Sequence, residues 1–193
     1  MQAMERKQDR SPDVEHAATR LSRPHARLAL IAKRLLDLLL ATAMLLALAP
    51  LLLLVLLLLL FEGESWIEQR VRLGRHGKPV GLTRFPELPG GAFGRGLERI
   101  GAREIPLLFS IVRGRLSFVG PRLLPPGTGY GHTGPRRLMA PGLTGPAQLG
   151  CPFEGSGNAL DDAYVERWTL RGDALMLARR CPKPYQSVSK TTS

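Results

Sequence analysis

Cysteine, histidine, aromatic and acidic residues are all scarce in this chain. The two cysteines, Cys151 and Cys181, lie far apart and outside any CxxC pattern, which argues against a disulfide framework or a zinc site and favours a reducing compartment. The four histidines have no metal-ligand spacing, so surface positions are expected for them. Aromatic residues do not alternate with basic ones and no nucleic-acid motif occurs. We therefore expect no nucleic acid as a partner, and a nucleic-acid-binding membrane protein is a remote alternative.

Basic residues, in contrast, are abundant. The 27 lysines and arginines against 16 aspartates and glutamates give a formal net charge of +11 and a pI near 10.8. Such a charge predicts an anionic partner, and nucleic acid, acidic lipid headgroups and phosphorylated substrates all meet that requirement. The 193 residues are enough for one domain of ordinary size with attached segments.

One long apolar run, from Leu38 to Phe61, contains no charged residue and consists mainly of leucine. It matches the ~20 apolar residues that a membrane helix needs. It starts too far from Met1, and is too long, for the apolar part of a signal peptide. A fully buried helix of a soluble protein is the alternative, but so small a chain has too little protein to surround it. The run therefore predicts a membrane segment.

Basic residues flank this run on both sides, and positively charged flanks prefer the cytoplasm. They are Arg20, Arg23, Arg27, Lys33 and Arg34 before the run and Arg70, Arg72, Arg75, Lys78 and Arg84 after it. Pro50, in the middle of the run, removes a helical hydrogen bond and clashes with the preceding turn. We predict a re-entrant helix with its membrane break at Pro50 and both termini in the cytoplasm. A kinked spanning helix is the alternative.

The remaining composition divides the chain into four parts. Residues 1–27 are predicted to be a disordered basic tail, residues 28–62 the re-entrant membrane helix, residues 63–180 the folded domain and residues 181–193 a second disordered tail. Short apolar runs interrupted by glycine and proline predict an α+β fold, in which a small, loop-rich, mainly helical cytoplasmic domain follows the membrane helix.

Two helices of that domain are predicted from spacing. Residues 103–113 carry apolar side chains at helical intervals, with a proline suited to the first turn and a glycine suited to the C-terminal cap. Residues 161–180 show the same spacing, with Asp161 or Asp162 as the N-terminal cap. Trp168 in this second helix is expected either at a membrane interface or in the core.

Six short motifs occur in order between residues 33 and 180. They are Lys-Arg-Leu-Leu-Asp at 33–37 before the leucine run, Gln-Arg-Val at 69–71 with Gly-Arg-His-Gly-Lys-Pro at 74–79, Arg-Glu-Ile-Pro at 103–106, Ser-Phe-Val-Gly-Pro-Arg at 117–122, Pro-Gly-Leu-Thr-Gly-Pro-Ala-Gln at 141–148 and Tyr-Val-Glu-Arg-Trp-Thr-Leu at 164–170. Together they resemble the monotopic phosphoglycosyl transferases, bacterial sugar transferases that begin glycan assembly on a polyprenyl phosphate.

The resemblance implies transfer of sugar phosphate from a nucleotide sugar to polyprenyl phosphate at the bacterial inner (cytoplasmic) membrane, in exopolysaccharide or glycan biosynthesis. In that family the Asp of an Asp-Glu pair attacks the diphosphate and forms a covalent intermediate, and the Glu holds Mg2+. Glu104 aligns with this Glu, so the resemblance implies Mg2+ as cofactor and Glu104 as its ligand. Arg122 and Gln148 fall in these motifs, Arg84 stands where the family commonly has the lysine of Lys-Phe-Arg-Thr-Met, and the resemblance implies that all three bind substrate.

The chain departs from the family at the position that matters most for chemistry. Arg103 replaces the nucleophilic Asp, and a guanidinium, which stays protonated, cannot act as that nucleophile. Glu98 stands where the family has an arginine, so an ion pair of reversed polarity between Glu98 and Arg103 is predicted, with a structural role. Pro86 replaces a basic residue of the family and Pro146 replaces a tryptophan, a large apolar anchor.

Two functions follow from these departures. The first, which we favour, is a catalytically inactive family member, a pseudoenzyme, that binds lipid phosphate, nucleotide sugar or a partner enzyme. The second is an active transferase that uses another carboxylate, of which Glu104 is the nearest. Glu104 also has a simpler explanation, because a carboxylate near a helix start stabilises the helix dipole.

Overall fold

The computed structural model describes residues 12–62, 67–88, 91–128, 133–151 and 157–179. These residues form a mixed structure of helices and short strands in which helices predominate, as the composition predicts. The helices are α1 (Pro12–Ser22), α2 (Pro24–Ala47), α3 (Ala49–Glu62), α4 (Ala92–Arg99), α5 (Leu107–Val112), α6 (Gly157–Glu166) and α7 (Leu170–Leu177). The strands are β1 (Glu68–Leu73), β2 (Pro79–Arg84), β3 (Ser117–Val119) and β4 (Gly142–Thr144).

The apolar run is divided between α2 and α3. The break falls at Leu48, two residues before Pro50, because proline cannot donate to the helical ladder and its ring clashes with the preceding turn. Within the described ranges no single helix has both the length and the hydropathy to span a membrane. The two helices pass that test together, as a pair bent by 60°. The bend near Pro50 is therefore confirmed, and the re-entrant topology stays a prediction.

One face of this bent pair packs on the domain. Val55 and Leu59 of α3 and Ala41 of α2 have no exposed surface, and they belong to a core cluster shared with the β1–β2 hairpin and α5. The opposite face carries leucines such as Leu46, which is 73% exposed, and Leu39, which is 67% exposed. The run thus has an apolar surface that the described chain leaves uncovered.

The predicted disordered tail over residues 1–27 is wrong for its second half. Residues 12–22 form α1, and α2 begins at Pro24, ahead of the predicted boundary at residue 28. Acidic residues in the first turn and Arg20 in the last turn suit the helix dipole, and Val14 and Ala17 are buried. Residues 1–11 and the predicted tail over 181–193 lie outside the described residues.

The start of α2 is fixed to the domain by polar side chains. Lys33 Nζ donates to Asp173 Oδ2 at 2.6 Å and to the Val119 carbonyl at 2.9 Å, and both side chains of this ion pair are buried. Asp37 accepts hydrogen bonds from Ser117 Oγ at 2.7 Å and from the Phe118 N–H at 3.2 Å. This first motif of the family resemblance therefore joins α2 to β3 and α7.

Arg34 extends this attachment to α5. Its two terminal nitrogens donate to the carbonyls of Ile111 at 2.6 Å and Val112 at 2.7 Å, at the C-terminal end of that helix. Unpaired carbonyls at a helix end are suited to a cationic donor.

The helix α5 lies where residues 103–113 predict it, although it starts later, at Leu107, after a 3-10 turn over Ala102–Glu104.

The two sheets are small and differ in direction. Strands β1 and β2 form an antiparallel hairpin, registered from Glu68↔Arg84 at its open end to Leu73↔Pro79 at its turn. Strands β3 and β4 are parallel, with Ser117 beside Gly142. A Cβ on Gly120, just after β3, would lie 2.5 Å from the Ala140 carbonyl oxygen, so only glycine permits this approach of the two chains.

One helix was predicted over residues 161–180, but the structure has two helices in this region, α6 and α7. The helical chain is interrupted at Thr169, because its hydroxyl caps the start of α7 by accepting the Gly172 N–H at 3.1 Å. Asp161 therefore lies inside α6 and is not a cap. Trp168 is 4% exposed and donates to Asp173, which confirms its core position. Cys151 is disulfide-bonded, which the positions of the two cysteines in the sequence did not indicate.

Candidate functional site

Arg103 lies in the 3-10 turn between α4 and α5, which Gly101 opens in the left-handed conformation at φ 80°. Its backbone carbonyl accepts the Phe85 N–H at 3.0 Å, and its Nε lies 3.4 Å from the Phe85 carbonyl oxygen. These contacts tie the turn to the end of β2. Arg103 is thus held in place by contacts with the backbone at the end of the hairpin.

The guanidinium of Arg103 lies between two carboxylates. Nη1 is 3.4 Å from Glu98 Oε1, and Nη2 is 3.7 Å from Glu68 Oε2. Glu98 also accepts the Leu88 N–H at 3.0 Å, which fixes its orientation. The predicted ion pair of reversed polarity is confirmed, and Glu68 adds a second acidic partner that the sequence did not indicate.

Glu68 joins three arginines at the open end of the hairpin. Besides Arg103, it accepts hydrogen bonds from Arg70 Nε at 2.8 Å and from Arg84 Nε at 2.9 Å. The hydrogen bond from Arg70 and, as the second contribution, that from Arg84 lower the pKa of Glu68 below its usual value. We call Glu68, Arg70, Arg84, Glu98 and Arg103 the Arg103 cluster. Three guanidiniums against two carboxylates leave it with one net positive charge.

Glu104, the candidate metal ligand and alternative nucleophile, is exposed at the end of the same turn. Its carboxylate forms no hydrogen bond or ion pair with any described residue. In the part of the chain that the structure describes, no three His, Cys, Asp or Glu side chains come together as a metal-binding group. A single exposed carboxylate beside the Arg103 cation is a poor fit to magnesium, which prefers several oxygen ligands.

Arg122 lies after β3, in a separate cluster built around a buried carboxylate. Its Nε donates to Asp161 Oδ2 at 3.1 Å and its N–H to Oδ1 at 3.2 Å, while Nη2 donates to Asn158 Oδ1 at 2.6 Å. Arg136 Nη1 lies 3.2 Å from the same Asp161 oxygen, and another of its nitrogens donates to the Arg122 carbonyl. We call these four residues the Asp161 cluster.

The Asp161 cluster is more buried than the Arg103 cluster. The Asp161 side chain is fully buried, and this burial raises its pKa, opposed by the charges of Arg136 and Arg122. The substrate-binding role of Arg122 stays a prediction, because two of its side-chain donors are bonded to the protein while the side chain is still 32% exposed. These contacts fit the alternative of an arginine that pairs with a carboxylate and holds its loop.

Gln148 follows β4 in a turn, and its side chain is exposed. Because β3 and β4 are parallel, Arg122 and Gln148 both follow the carboxyl ends of neighbouring strands and lie at one edge of this sheet. Arg84 and Arg103 instead share Glu68 at the hairpin. The structure therefore places Arg122 and Gln148 at the β3–β4 sheet and Arg84 and Arg103 at the open end of the hairpin.

Sequence reasoning missed one acidic partner in each cluster, Glu68 in the first and Asp161 in the second. Glu68 lies one residue before a recognised motif, and Asp161 lies where a helix cap is expected. Nothing in the sequence around either residue therefore indicates which distant arginine it pairs with.

The comparison with known families decides the broader assignment. The profile of the bacterial sugar transferase family matches residues 91–186. Residues 91–186 belong to the bacterial sugar transferase family. The matched part contains Arg103, Glu104, Arg122 and Gln148, whereas Arg84 lies before it. No curated protein matches the chain.

Proposed function

We propose that this bacterial sugar transferase family member is a membrane-bound, catalytically inactive protein that binds a phosphate-bearing substrate, lipid phosphate or nucleotide sugar, or a partner enzyme. One observation carries the proposal: the guanidinium of Arg103, which the resemblance aligns with the family's nucleophile, is paired with the carboxylates of Glu98 and Glu68. A protonated guanidinium has no lone pair for attack on phosphorus.

Binding without turnover follows from the charge of the Arg103 cluster. A diphosphate approaching it meets one net positive charge on partly exposed arginines, of which Arg70 is 46% exposed. Guanidinium groups match phosphate oxygens well, so this surface suits an anionic ligand. A covalent intermediate would need a carboxylate at the same place, and the two carboxylates that pair with Arg103, Glu68 and Glu98, are already bound to arginines.

An active transferase that uses Glu104 is the second candidate. Its favouring observation is that Glu104 is exposed and has no partner among the described residues. In that case its carboxylate would attack the diphosphate and release the nucleoside monophosphate.

Mass spectrometry of the intact protein separates the two candidates. After incubation with nucleotide sugars and magnesium, the natural chain should gain no sugar-phosphate mass. The double variant Glu98→Arg/Arg103→Asp restores the family's charges and is the variant expected to gain an adduct. Arg103→Asp alone should gain none, because Glu98 and Glu68 would face the new carboxylate as like charges and raise its pKa.

Two outcomes would contradict the inactive assignment. An adduct on the unmodified chain that disappears in Glu104→Gln would assign the nucleophile to Glu104. An adduct on another carboxylate would place the chemistry elsewhere. A matched control, Glu87→Gln, changes a carboxylate outside both clusters and should leave any adduct unchanged.

The membrane association is a second part of the proposal. It is supported by the 60° bend between α2 and α3 and by the leucines that the described chain leaves exposed. We propose a re-entrant segment at the inner membrane with both termini in the cytoplasm. Cysteine labelling of spheroplasts should leave tags at both termini unlabelled, and Pro50→Leu should make the C-terminal tag partly accessible from outside. Labelling of only the C-terminal tag in the natural chain would contradict the re-entrant topology.

A further inference from the structure

A cavity of about 460 Å³ lies between α1, the start of α2, the hairpin turn and the segment that precedes β4. Its apolar walls come from side chains such as Leu21, Leu30 and Met139. Four cationic side chains also line it, namely Arg27, Lys33, Arg34 and Arg75, against one carboxylate, Asp37. The combination of apolar walls and cations is typical of a ligand site for an amphiphilic anion.

The charges in this cavity are incompletely balanced. Lys33 is paired with Asp173, and Asp37 accepts from Ser117 and the Phe118 N–H. No described carboxylate lies within ion-pair distance of the three arginines. Arg34 donates to two backbone carbonyls and Arg75 donates to the Leu138 carbonyl at 2.9 Å, contacts that orient the guanidiniums without neutralising them.

The cavity is separate from the Arg103 cluster. Arg75 lies at the turn of the hairpin, whereas Glu68 and Arg84 lie at its open end, five residue pairs away. At ~3.4 Å per residue the two ends are about 17 Å apart. One wall comes from α1, which precedes the residues that match the family.

We propose that this cavity is a second anion site that takes a phosphate group joined to an apolar part. Arg27, Arg34 and Arg75 supply the charge, and a guanidinium donates to two phosphate oxygens at once. Leucine and methionine side chains cover the apolar part. The same chemistry is available from an anionic lipid headgroup and from a free phosphate compound, and basic pockets beside membrane helices take lipid headgroups.

Binding to the purified full-length protein in detergent tests this proposal with two probes. Native mass spectrometry measures retention of phosphatidic acid against phosphatidylcholine, and isothermal titration calorimetry measures binding of inorganic pyrophosphate. We expect at least one anionic probe to bind, and to bind at least tenfold more weakly to Arg27→Gln/Arg75→Gln. The matched control Arg95→Gln/Arg99→Gln removes two exposed charges from α4 and should change the affinity less than twofold.

A second variant guards against a loss of folding, because Arg75 holds the Leu138 segment. Ala18→Phe fills the cavity from α1 without changing its charge, and should cause a similar loss. Retention of phosphatidic acid alone would identify a lipid headgroup site, and pyrophosphate binding alone a site for a free phosphate compound. Absence of binding by both probes, or equal losses in the test and control variants, would overturn the proposal.

Discussion

The Arg103 and Asp161 clusters both pair arginines with carboxylates but differ in their contact with water. In the Arg103 cluster the carboxylate of Glu68 is 35% exposed, whereas that of Asp161 is fully buried. Exposed ion pairs contribute little to stability, while a buried charge that loses its partner is costly. Charge reversal at Arg103 and Glu98 is therefore compatible with an intact fold, and the same change at Asp161 is not.

The largest expected effect tests this difference at the buried site. Asp161→Asn removes the charge that balances Arg136, which is 6% exposed, and should lower the free energy of unfolding by about 4 kcal/mol. Glu104→Gln, at an exposed carboxylate, should change it by less than about 0.5 kcal/mol. Urea denaturation followed by circular dichroism in detergent measures both. Equal effects of the two substitutions on the free energy of unfolding would contradict the difference between buried and exposed carboxylates.

A slightly smaller effect is expected where α2 joins the domain. Lys33→Met leaves Asp173 buried with only the Tyr164 and Trp168 donors, and should lower the free energy of unfolding by about 3 kcal/mol. Lys33→Met/Asp173→Asn removes the uncompensated charge but leaves one acceptor oxygen for the two donors, so it should recover only part of the loss. A double-mutant cycle measures this coupling, and strictly additive losses would contradict it.

The smallest effect concerns pH at the exposed cluster. Because the pKa of Glu68 is lowered in the folded state, its contribution is present above the ordinary value of 4.5 and is lost as pH falls through the folded value. The Tm of the natural chain should exceed that of Glu68→Gln at pH 7, and the difference should shrink as pH falls below 4.5. A difference that grows on acidification would contradict this assignment.

Much of the architecture was predictable because its signals are local. The uncharged run and Pro50 predict an apolar helix with a break, and the structure has a bend of 60° there. The helix at α5 follows from apolar spacing with a glycine after its end. The helix α1 was missed because charged and small residues hide a narrow apolar face, in which only Val14 and Ala17 are buried.

The candidate site was less predictable because its partners are distant in the chain. The Glu98–Arg103 pair was predicted, since both residues differ from the family in opposite directions. The pairing of Arg122 with Asp161, 39 residues away, was not, because the spacing of Asp161 also suits a helix cap. Thr169 shows the same limit, since a helical pattern continues through a residue that divides it into α6 and α7.

The close approach at Gly120 has a consequence for how the motifs of this chain are interpreted. A methyl group there would meet the Ala140 carbonyl and, at 2.7 Å, the Gly142 nitrogen, so two separate motifs constrain each other through bare backbone. Selection for folding alone is enough to retain such glycines, whether or not the chain catalyses a reaction. The Val-Gly-Pro and Pro-Gly-Leu-Thr-Gly motifs are thus explained by packing. Only positions that packing leaves free to vary carry information about catalysis.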